Sequence, residues 1–317
     1  VFKNHDDFPY YHLTYALNLS NDSFFIGTGV LGHGFRTASS IFYYHSTLYL
    51  PLIKFYLFHS GPFLILIYFN YIILSKIEKK FKSKSIDLVY YFSLLSLIFI
   101  DVAFYRIGEH GTDRSGQLLL LLAFVYFLEL FFLEKKVEEK QKLFNYLLIL
   151  IFLSASTKVL YILYLLLIPF VYFKSNFYKN YNFKKNAFLI FFLTLSLSLN
   201  LSISFFSTGC LVYPEEKTCF SKSIPWSTEK NEVKQMKIHY EWWAKGGGGP
   251  GYSSEIKKEI YIKDFNWLDN WIDRHFFNKV SDTLLGIIFI AVLSTLFFYS
   301  TKKKTIKRKS VWMIYLI

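Results

Sequence analysis

Residues 76–105 read KIEKKFKSKSIDLVYYFSLLSLIFIDVAFY, a lysine-rich segment followed by an apolar run. A helix that crosses a bilayer needs about 20 mainly apolar residues, and the run from 86 to 105 has that length and character. Short loops rich in Lys and Arg stay on the cytoplasmic side of a membrane. The stretch therefore predicts a membrane span whose lysine-rich approach, residues 76–84, faces the cytoplasm.

Apolar runs of this kind alternate with polar loops along the whole 317-residue chain. The other runs are 62–76, 116–133, 143–173, 186–206 and 281–299, and a further one begins near Val311. Only 19% of the residues are charged, against roughly a quarter in soluble domains, which argues against a water-soluble globule. We therefore predict an all-α fold, a polytopic transmembrane helical bundle. The run 143–173 fits a tight hairpin of two short spans, although one long tilted helix also accommodates it.

The net charge of +13 is explained by the loops between these runs. Four loops carry 19 of the 36 basic residues and only four of the 23 acidic residues, namely 76–84, 134–142, 174–185 and 302–309. The rest of the chain keeps 17 basic and 19 acidic residues. The basic balance therefore indicates cytoplasmic loops, and we expect no nucleic-acid partner. Alternation then assigns four segments to the outer side: 1–60, 105–115, 155–158 and 207–280.

We expect a single transmembrane domain over residues 1–317, truncated at both ends and lacking a span before Val1. Its parts are a first outer segment at 1–60 with an interfacial helix at 41–58, transmembrane helices in 62–206, a larger outer loop at 207–280 and the last helices in 281–317. All eight histidines fall outside the four lysine-rich loops. Side chains able to do chemistry are therefore concentrated on the outer face.

The first outer segment begins with a cluster of ionisable residues, NHDDFPYYH at 4–12. Asp6 and Asp7 are adjacent carboxylates, and crowding disfavours ionisation of both, which suits one of them to act as a general base. His5 and His12 could join them around a divalent metal, because imidazole and carboxylate groups both serve as ligands. A solvated turn in which Asp7 caps the next helix is the alternative.

Two further outer segments combine glycine with charge. In GTGVLGHGFR at 27–36, the glycines can turn backbone N–H groups toward an anion and Arg36 can add charge-assisted hydrogen bonds, while a flexible loop with a solvated arginine is the favoured alternative. The segment RIGEHGTDR at 106–114 is dense in charge for a short link, although an ordinary solvated turn also fits. It offers three acid or base candidates: Glu109, His110 and Asp113.

Two charged residues lie within or beside the predicted spans. Lys158, at the tip of the predicted hairpin, could hold a lipid phosphate or extend into the headgroups as an anchor. Glu129 lies near the cytoplasmic end of the run 116–133, and we interpret it as a helix-packing or interfacial carboxylate rather than a catalytic one.

The outer loop 207–280 contains both cysteines and five of the six tryptophans. Cys210 and Cys219 are expected to form a disulfide in an oxidising compartment. A metal site is not expected, because no second Cys or His pair accompanies them. Tryptophan suits both sugar rings and membrane interfaces. The spacing of Trp267 and Trp271 is one helical turn, which favours an amphipathic surface helix.

Together these features resemble the GT-C glycosyltransferases, polytopic enzymes that use a polyprenyl-phosphate sugar donor on the non-cytoplasmic side. The residues Asp6-Asp7-Phe8-Pro9-Tyr10 resemble the D-[DE]-x-x-Y motif of that family's first outer loop. The segment 41–58 resembles its interfacial helices, 105–115 occupies the place of its second outer loop, and LSASTK ending at Lys158 resembles a lysine-bearing segment of bacterial relatives. The stretch from 211 to 226 is similar to a group of uncharacterised bacterial membrane proteins of this architecture.

The resemblance implies an enzyme that transfers a sugar to a glycan, lipid or protein acceptor of the cell envelope. Asp6 matches the family's catalytic base by position, with Asp7 beside it. The basic residues implied near the donor phosphate are Arg36, Arg114 and Lys158. No cofactor is expected to be required, and a divalent metal at His5, Asp6 and Asp7 stays open. The implied location is the bacterial inner membrane, with the active site on the periplasmic or outer side. The alternative is a transporter, flippase or assembly subunit for lipid-linked sugars.

Overall fold

A computed structural model describes residues 7–21, 26–103, 111–133, 136–174, 181–221, 223–249 and 251–301. Within these ranges the chain is predominantly helical, and the one sheet is a two-stranded hairpin, which confirms the all-α class. The described residues divide into two compact units. The first contains 7–21, 31–103, 111–133, 136–174 and 181–203, and the second contains 26–30 and the described residues from 204 to 301.

The described part of the first unit contains eight α-helices with shorter helical turns between them. The α-helices are α1 (Leu13–Asn21), α2 (Ser40–Thr47), α3 (Ser60–Lys82), α4 (Leu88–Ala103), α5 (Thr112–Phe132), α6 (Val137–Thr157), α7 (Leu167–Lys174) and α8 (Ala187–Thr208), the last of which continues into the second unit. A π-helix spans Phe8–His12, and 3₁₀ helices span His33–Arg36, Phe55–Leu57 and Val159–Leu166.

Helix α5 forms the centre of the first unit and contacts α3, α4, α6 and α7. Its side chains are apolar on nearly every face, so most of them are buried, including Leu118 and Leu122. They pack with Phe69 and Ile73 of α3 and with Ile151 of α6 in one continuous core. A helix that is apolar all round is stable only when other helices or lipid surround it.

Three helices of the described chain are long and apolar enough to cross a membrane. They are Phe55–Lys82, Thr112–Phe132 and Ala187–Thr208. The first contains the predicted run 62–76, and the other two contain all but one residue of the runs 116–133 and 186–206. Two shorter apolar helices cover Leu88–Val102 and Val159–Phe173. The run 281–299 lies within one helix of the second unit.

The chain from 143 to 173 reverses direction at Lys158. Helix α6 ends at Thr157, Lys158 is extended, and the 3₁₀ helix and α7 follow. The Tyr161 hydroxyl bonds to the backbone oxygen of Asp113 at the start of α5, whereas Tyr172 contacts Phe183 in the segment that packs against the start of α6. The chain therefore folds back on itself, as the hairpin interpretation predicts, and does not form one long helix.

The predicted interfacial helix over 41–58 is wrong in its extent. Helix α2 has only eight residues and ends at Thr47. A tight turn follows, closed by the hydrogen bond from Lys54 N to Leu50 O at 2.6 Å, and Pro51 inside it cannot continue the helix. The apolar face of α2 is also not left for lipid, because Ile41 and Phe42 are buried within the unit.

Contacts between helices divide the first unit into two chemically different ends. At one end, Lys76 of α3 meets Glu129 of α5, and the Tyr181 hydroxyl donates to Asn145 Oδ1 of α6 at 2.9 Å. The described parts of three lysine-rich segments, 76–84, 136–142 and 181–185, belong to this end. At the opposite end, Ser154 Oγ of α6 donates to the backbone oxygen of Gly116 in α5 at 3.0 Å.

The second unit is smaller and less regular. Its elements are a 3₁₀ helix at Glu216–Thr218, α9 (Lys230–Ala244), β1 (Gly248–Gly249), β2 (Tyr252–Ser253), α10 (Lys258–Tyr261), α11 (Leu268–Trp271), a π-helix at Ile272–Val280 and α12 (Ser281–Thr301), with most of the 3₁₀ helix Thr28–Leu31. The strands pair antiparallel through Gly248 with Ser253 and Gly249 with Tyr252. A small core forms around Cys210, Tyr213 and Val233.

Candidate functional site

Asp7 stands at the N-terminal end of the π-helix Phe8–His12. Pro9 lies in the first turn of this helix, where its missing N–H costs nothing. Phe8 packs against His59 with ring centroids 4.6 Å apart, which fixes one side of the helix on the unit. The Asp7 side chain makes no capping hydrogen bond to the helix, so the capping alternative is not supported within the described residues. His5 and Asp6 lie outside the described residues.

Arg36 ends the 3₁₀ helix His33–Arg36, which packs on the π-helix that follows Asp7. The backbone of Gly34 approaches the Tyr11 side chain so closely that a Cβ at this position would collide with it. The Arg36 side chain is buried, with 8% of its surface exposed. The flexible loop with a solvated arginine is therefore wrong.

Part of the predicted anion cradle at 27–36 is already used within the chain. Gly27 N donates to Phe206 O at 2.8 Å, and Phe35 N donates to Gly32 O at 3.1 Å. These N–H groups are used by backbone carbonyls and are not turned toward a ligand. The segment is also divided, because residues 26–30 belong to the second unit and Arg36 belongs to the first.

Lys158 and Asp113 form an ion pair at the start of α5. Lys158 Nζ donates to both carboxylate oxygens of Asp113, at 2.6 Å each. The Tyr161 hydroxyl donates to the backbone oxygen of Asp113 at 2.8 Å. Arg114 follows Asp113 in the first turn of the same helix. The structure therefore brings two sequence candidates into direct contact, while Glu109 and His110 lie outside the described residues.

The ion pair stands on closely packed helices. A Cβ on Gly116 would lie 2.6 Å from Thr157 Oγ1 and would also collide with the Tyr161 ring. Ser40 Oγ at the start of α2 and Ser156 Oγ near the end of α6 are 2.8 Å apart. Small residues at these positions let α2, α5 and α6 approach one another at this end of the unit.

The π-helix that follows Asp7 contacts the start of α5 through His12. A Cβ on Gly111, the residue before α5, would lie 2.9 Å from His12 Cε1. The elements that carry the sequence-predicted residues therefore contact one another at the end of the unit opposite the lysine-rich segments. We call these residues the outer cluster, after the side that the sequence predicts for their segments: Asp7, Arg36, Asp113, Arg114 and Lys158.

Two histidines beside the outer cluster, His45 and His59, were not predicted from the sequence. His45 is buried in α2 and stacks on Phe58 with centroids 5.4 Å apart. Burial, and then the nearby His59 and His12, lower the pKa of His45 to about 3, so its ring is neutral at physiological pH. Within the described residues neither ring nitrogen of His45 has a hydrogen-bond partner. The available signal was the placement of these histidines within aromatic stretches of the first outer segment.

The predicted metal site at His5, Asp6 and Asp7 stays a prediction. Across the described ranges, no group of three His, Cys, Asp or Glu side chains is arranged to hold a metal ion. Of the predicted ligands His5, Asp6 and Asp7, only Asp7 belongs to the described residues. The described side chains thus supply one ligand of that set, and no chemical step is assigned to a metal here.

The second unit contains the disulfide and two tryptophans that pack on its own backbone. Cys210 and Cys219 are bonded, which confirms that prediction. The Trp242 indole lies so close to the glycine run 246–249 that a Cβ on Gly247 or Gly248 would collide with it. Trp271 lies near the other side of the turn, 3.5 Å from a Cβ placed on Gly246. These indoles are used for internal packing rather than presented as an open sugar platform.

A family model described as "Domain of unknown function (DUF8201)" matches residues 10–317. No curated protein and no solved structure matches the chain.

Proposed function

The chain belongs to the DUF8201 family, and we propose that it is an integral membrane glycosyltransferase of the GT-C type. In this proposal it moves a sugar from a polyprenyl-phosphate donor to a glycan, lipid or protein acceptor of the cell envelope. The observation that carries the proposal is the outer cluster, in which a carboxylate of the first segment and three basic residues stand on elements that contact one another. Such a cluster could serve several reactions, and the resemblance of the sequence to GT-C enzymes is the reason for choosing sugar transfer.

The proposed reaction needs a base on one side of the sugar and positive charge on the other. The acceptor oxygen forms a bond to the anomeric carbon while the bond from that carbon to the phosphate oxygen breaks. Asp6 takes the proton of the acceptor hydroxyl, with Asp7 beside it, and the phosphate leaves with the bonding electrons. Arg36, Arg114 and Lys158 then stabilise the charge that develops on the phosphate.

The orientation follows from the two ends of the first unit. Lysine-rich segments stay in the cytoplasm, so the end with the outer cluster is proposed to face the periplasmic or outer side of a bacterial inner membrane. The bonded cysteines are typical of an oxidising compartment, which supports a non-cytoplasmic location for the second unit. The three candidate spans, the shorter apolar helices and the chain reversal at Lys158 support a polytopic arrangement.

A transporter or flippase for lipid-linked sugars, or an assembly subunit, is the alternative. One observation favours transport, because Lys76 and Glu129 form a largely buried ion pair inside the helical bundle. Ionisable groups within membrane helices often mark a transport path. The pair lies at the lysine-rich end, away from the outer cluster.

The test is sugar transfer from a labelled polyprenyl-phosphate donor by the purified full chain in lipid nanodiscs. Asp6→Asn and Asp7→Asn are compared with Asp269→Asn, an exposed aspartate of the second unit. We expect at least one of the first two variants to lose activity about 100-fold or more, since an amide cannot accept the proton. The control should keep the wild-type rate.

Two outcomes would contradict the proposal. Wild-type rates in both Asp6→Asn and Asp7→Asn would show that neither carboxylate is the base. A wild-type protein that consumes no donor, but moves the labelled lipid between leaflets of a vesicle, would make the transporter alternative correct.

A further inference from the structure

The sequence analysis named Asp113 as a candidate acid or base. Its ion pair with Lys158 indicates a different role. We propose that Asp113 is a positioning residue, which holds the Lys158 ammonium so that it can bind the phosphate of the lipid donor. This inference rests on the proposed function. It also changes the role of Asp113, because in this account the residue makes no proton transfer.

The geometry of the carboxylate argues against acid or base chemistry. Oδ1 and Oδ2 of Asp113 each accept a hydrogen bond from Lys158 Nζ at 2.6 Å. The hydroxyl of Thr112 also donates to Oδ1, at 3.2 Å. A general base must have an oxygen within hydrogen-bond reach of the substrate proton, and here both oxygens already face the ammonium.

The geometry of the lysine suits a phosphate ligand held in one place. An ammonium group has three N–H donors, so one remains when two point at the carboxylate oxygens. A free lysine loses rotamer entropy when it is fixed. Holding the side chain before the donor arrives removes part of that cost from binding, which is the usual effect of preorganisation.

Both partners stand on backbone that neighbouring groups fix. The Lys158 backbone is extended between α6 and the following 3₁₀ helix, and its N–H donates to Ser154 O at 3.2 Å. On the other side, the Tyr161 hydroxyl bonds to the backbone oxygen of Asp113. The same lysine therefore joins the chain reversal to the start of α5. These contacts fix the backbone from which the Lys158 side chain extends toward Asp113.

The main experiment measures transfer against donor concentration for Asp113→Asn, Lys158→Ala and the double variant in nanodiscs. We expect each single variant to raise the KM for the donor about tenfold while kcat changes less than threefold. The double variant should match Lys158→Ala, because Asp113 acts only through the lysine. Asp113→Glu, which keeps the charge, should recover most of the wild-type KM.

Two kinetic results would overturn the inference. A loss of kcat of about 100-fold in Asp113→Asn at unchanged KM would make Asp113 an acid or base. Additive effects in the double variant would show that the two side chains act independently. Glu215→Gln and Lys237→Ala serve as controls, because they break an ion pair of the second unit at 2.7 Å with comparable exposure. Both controls should leave KM and kcat unchanged.

A binding measurement separates this inference from the proposed function. Polyprenyl phosphate without a sugar is added to the wild type and the variants, and its binding is followed by native mass spectrometry. Weaker binding in both Asp113→Asn and Lys158→Ala supports the pairing even if the wild type transfers no sugar, a result that would refute the glycosyltransferase proposal alone. Unchanged binding in both variants would overturn the inference itself.

Discussion

The ammonium of Lys76 in α3 lies 2.5 Å from the carboxylate of Glu129 in α5. Both side chains are largely buried, with 16% and 8% of their surface exposed. The same ammonium lies 4.1 Å from the centroid of the Tyr126 ring, which adds a cation–π contact. This contact joins two of the helices long enough to cross a membrane, at their lysine-rich end.

Breaking this pair on one side should destabilise the protein strongly. Glu129→Gln leaves the Lys76 ammonium largely buried without its counter-charge, and we expect a loss of about 3 kcal/mol in the free energy of unfolding. Replacing both partners together, by Met at 76 and Leu at 129, should recover most of that loss because no charge then remains buried. The measurement is thermal unfolding of the purified protein in detergent.

The control is the exposed pair of Glu78 and Lys82, one helical turn apart on α3. Glu78→Gln should leave the unfolding midpoint unchanged, since exposed pairs contribute little. If Glu129→Gln behaves like Glu78→Gln, the pair at 76 and 129 does not stabilise the bundle.

The long helices could be predicted because their signal is local. An apolar run of sufficient length favours a helix whatever its neighbours are, and 116–133 and 186–206 lie almost entirely within α5 and α8. The partner of Glu129 could not be predicted in the same way. Lys76 was assigned to a cytoplasmic loop, and only the packing of α3 against α5 brings its amine to the carboxylate.

For the outer cluster too, the candidate residues could be predicted from the sequence but their contacts could not. Its members could be chosen by residue type and by position in outer segments, yet their contacts join residues far apart in sequence. The pairing of Asp113 with Lys158 depends on the chain reversal after α6, and Arg36 is buried in a 3₁₀ helix that packs against the π-helix Phe8–His12. Neither contact leaves a periodic pattern in the sequence.

The glycine run of the second unit should tolerate side chains unequally. Gly247→Ala places a Cβ against the Trp242 indole, so we expect overpacking to reduce stability by about 1–3 kcal/mol. Gly249→Ala is the matched control, because the described residues leave nothing within 4 Å of its Cβ. Thermal unfolding followed by tryptophan fluorescence compares the two. Equal midpoints would mean that Trp242 does not pack on the run.

The buried His45 should make stability depend on pH. Its folded pKa of about 3 lies below the usual value near 6.5, so the unfolded state binds the extra proton between these limits. Stability contributed by the neutral ring is therefore complete above pH 6.5 and falls as the pH decreases toward 3. By linkage, the loss between pH 7 and pH 5 is about 2 kcal/mol.

The measurement for His45 is chemical unfolding at a series of pH values for the wild type and His45→Phe. Phenylalanine preserves the stacking on Phe58 but cannot take up a proton. The variant should therefore lose less stability than the wild type on acidification, and the difference between the two curves isolates His45 from the nearby His12 and His59. Parallel curves would show that His45 does not cause the pH dependence.

The close packing below Lys158 gives the last prediction. In Gly116→Ala the new methyl group would meet the Tyr161 ring and Thr157 Oγ1, which forces the 3₁₀ helix Val159–Leu166 away from α5. We expect a loss of about 1–3 kcal/mol in the free energy of unfolding. Gly286→Ala in α12 is the control, because none of the described residues lies within 4 Å of its Cβ and alanine favours a helix by up to about 1 kcal/mol. In thermal unfolding, the midpoint should therefore be lowered only by Gly116→Ala. A midpoint raised in both variants would mean that the chain after Lys158 does not rest on α5.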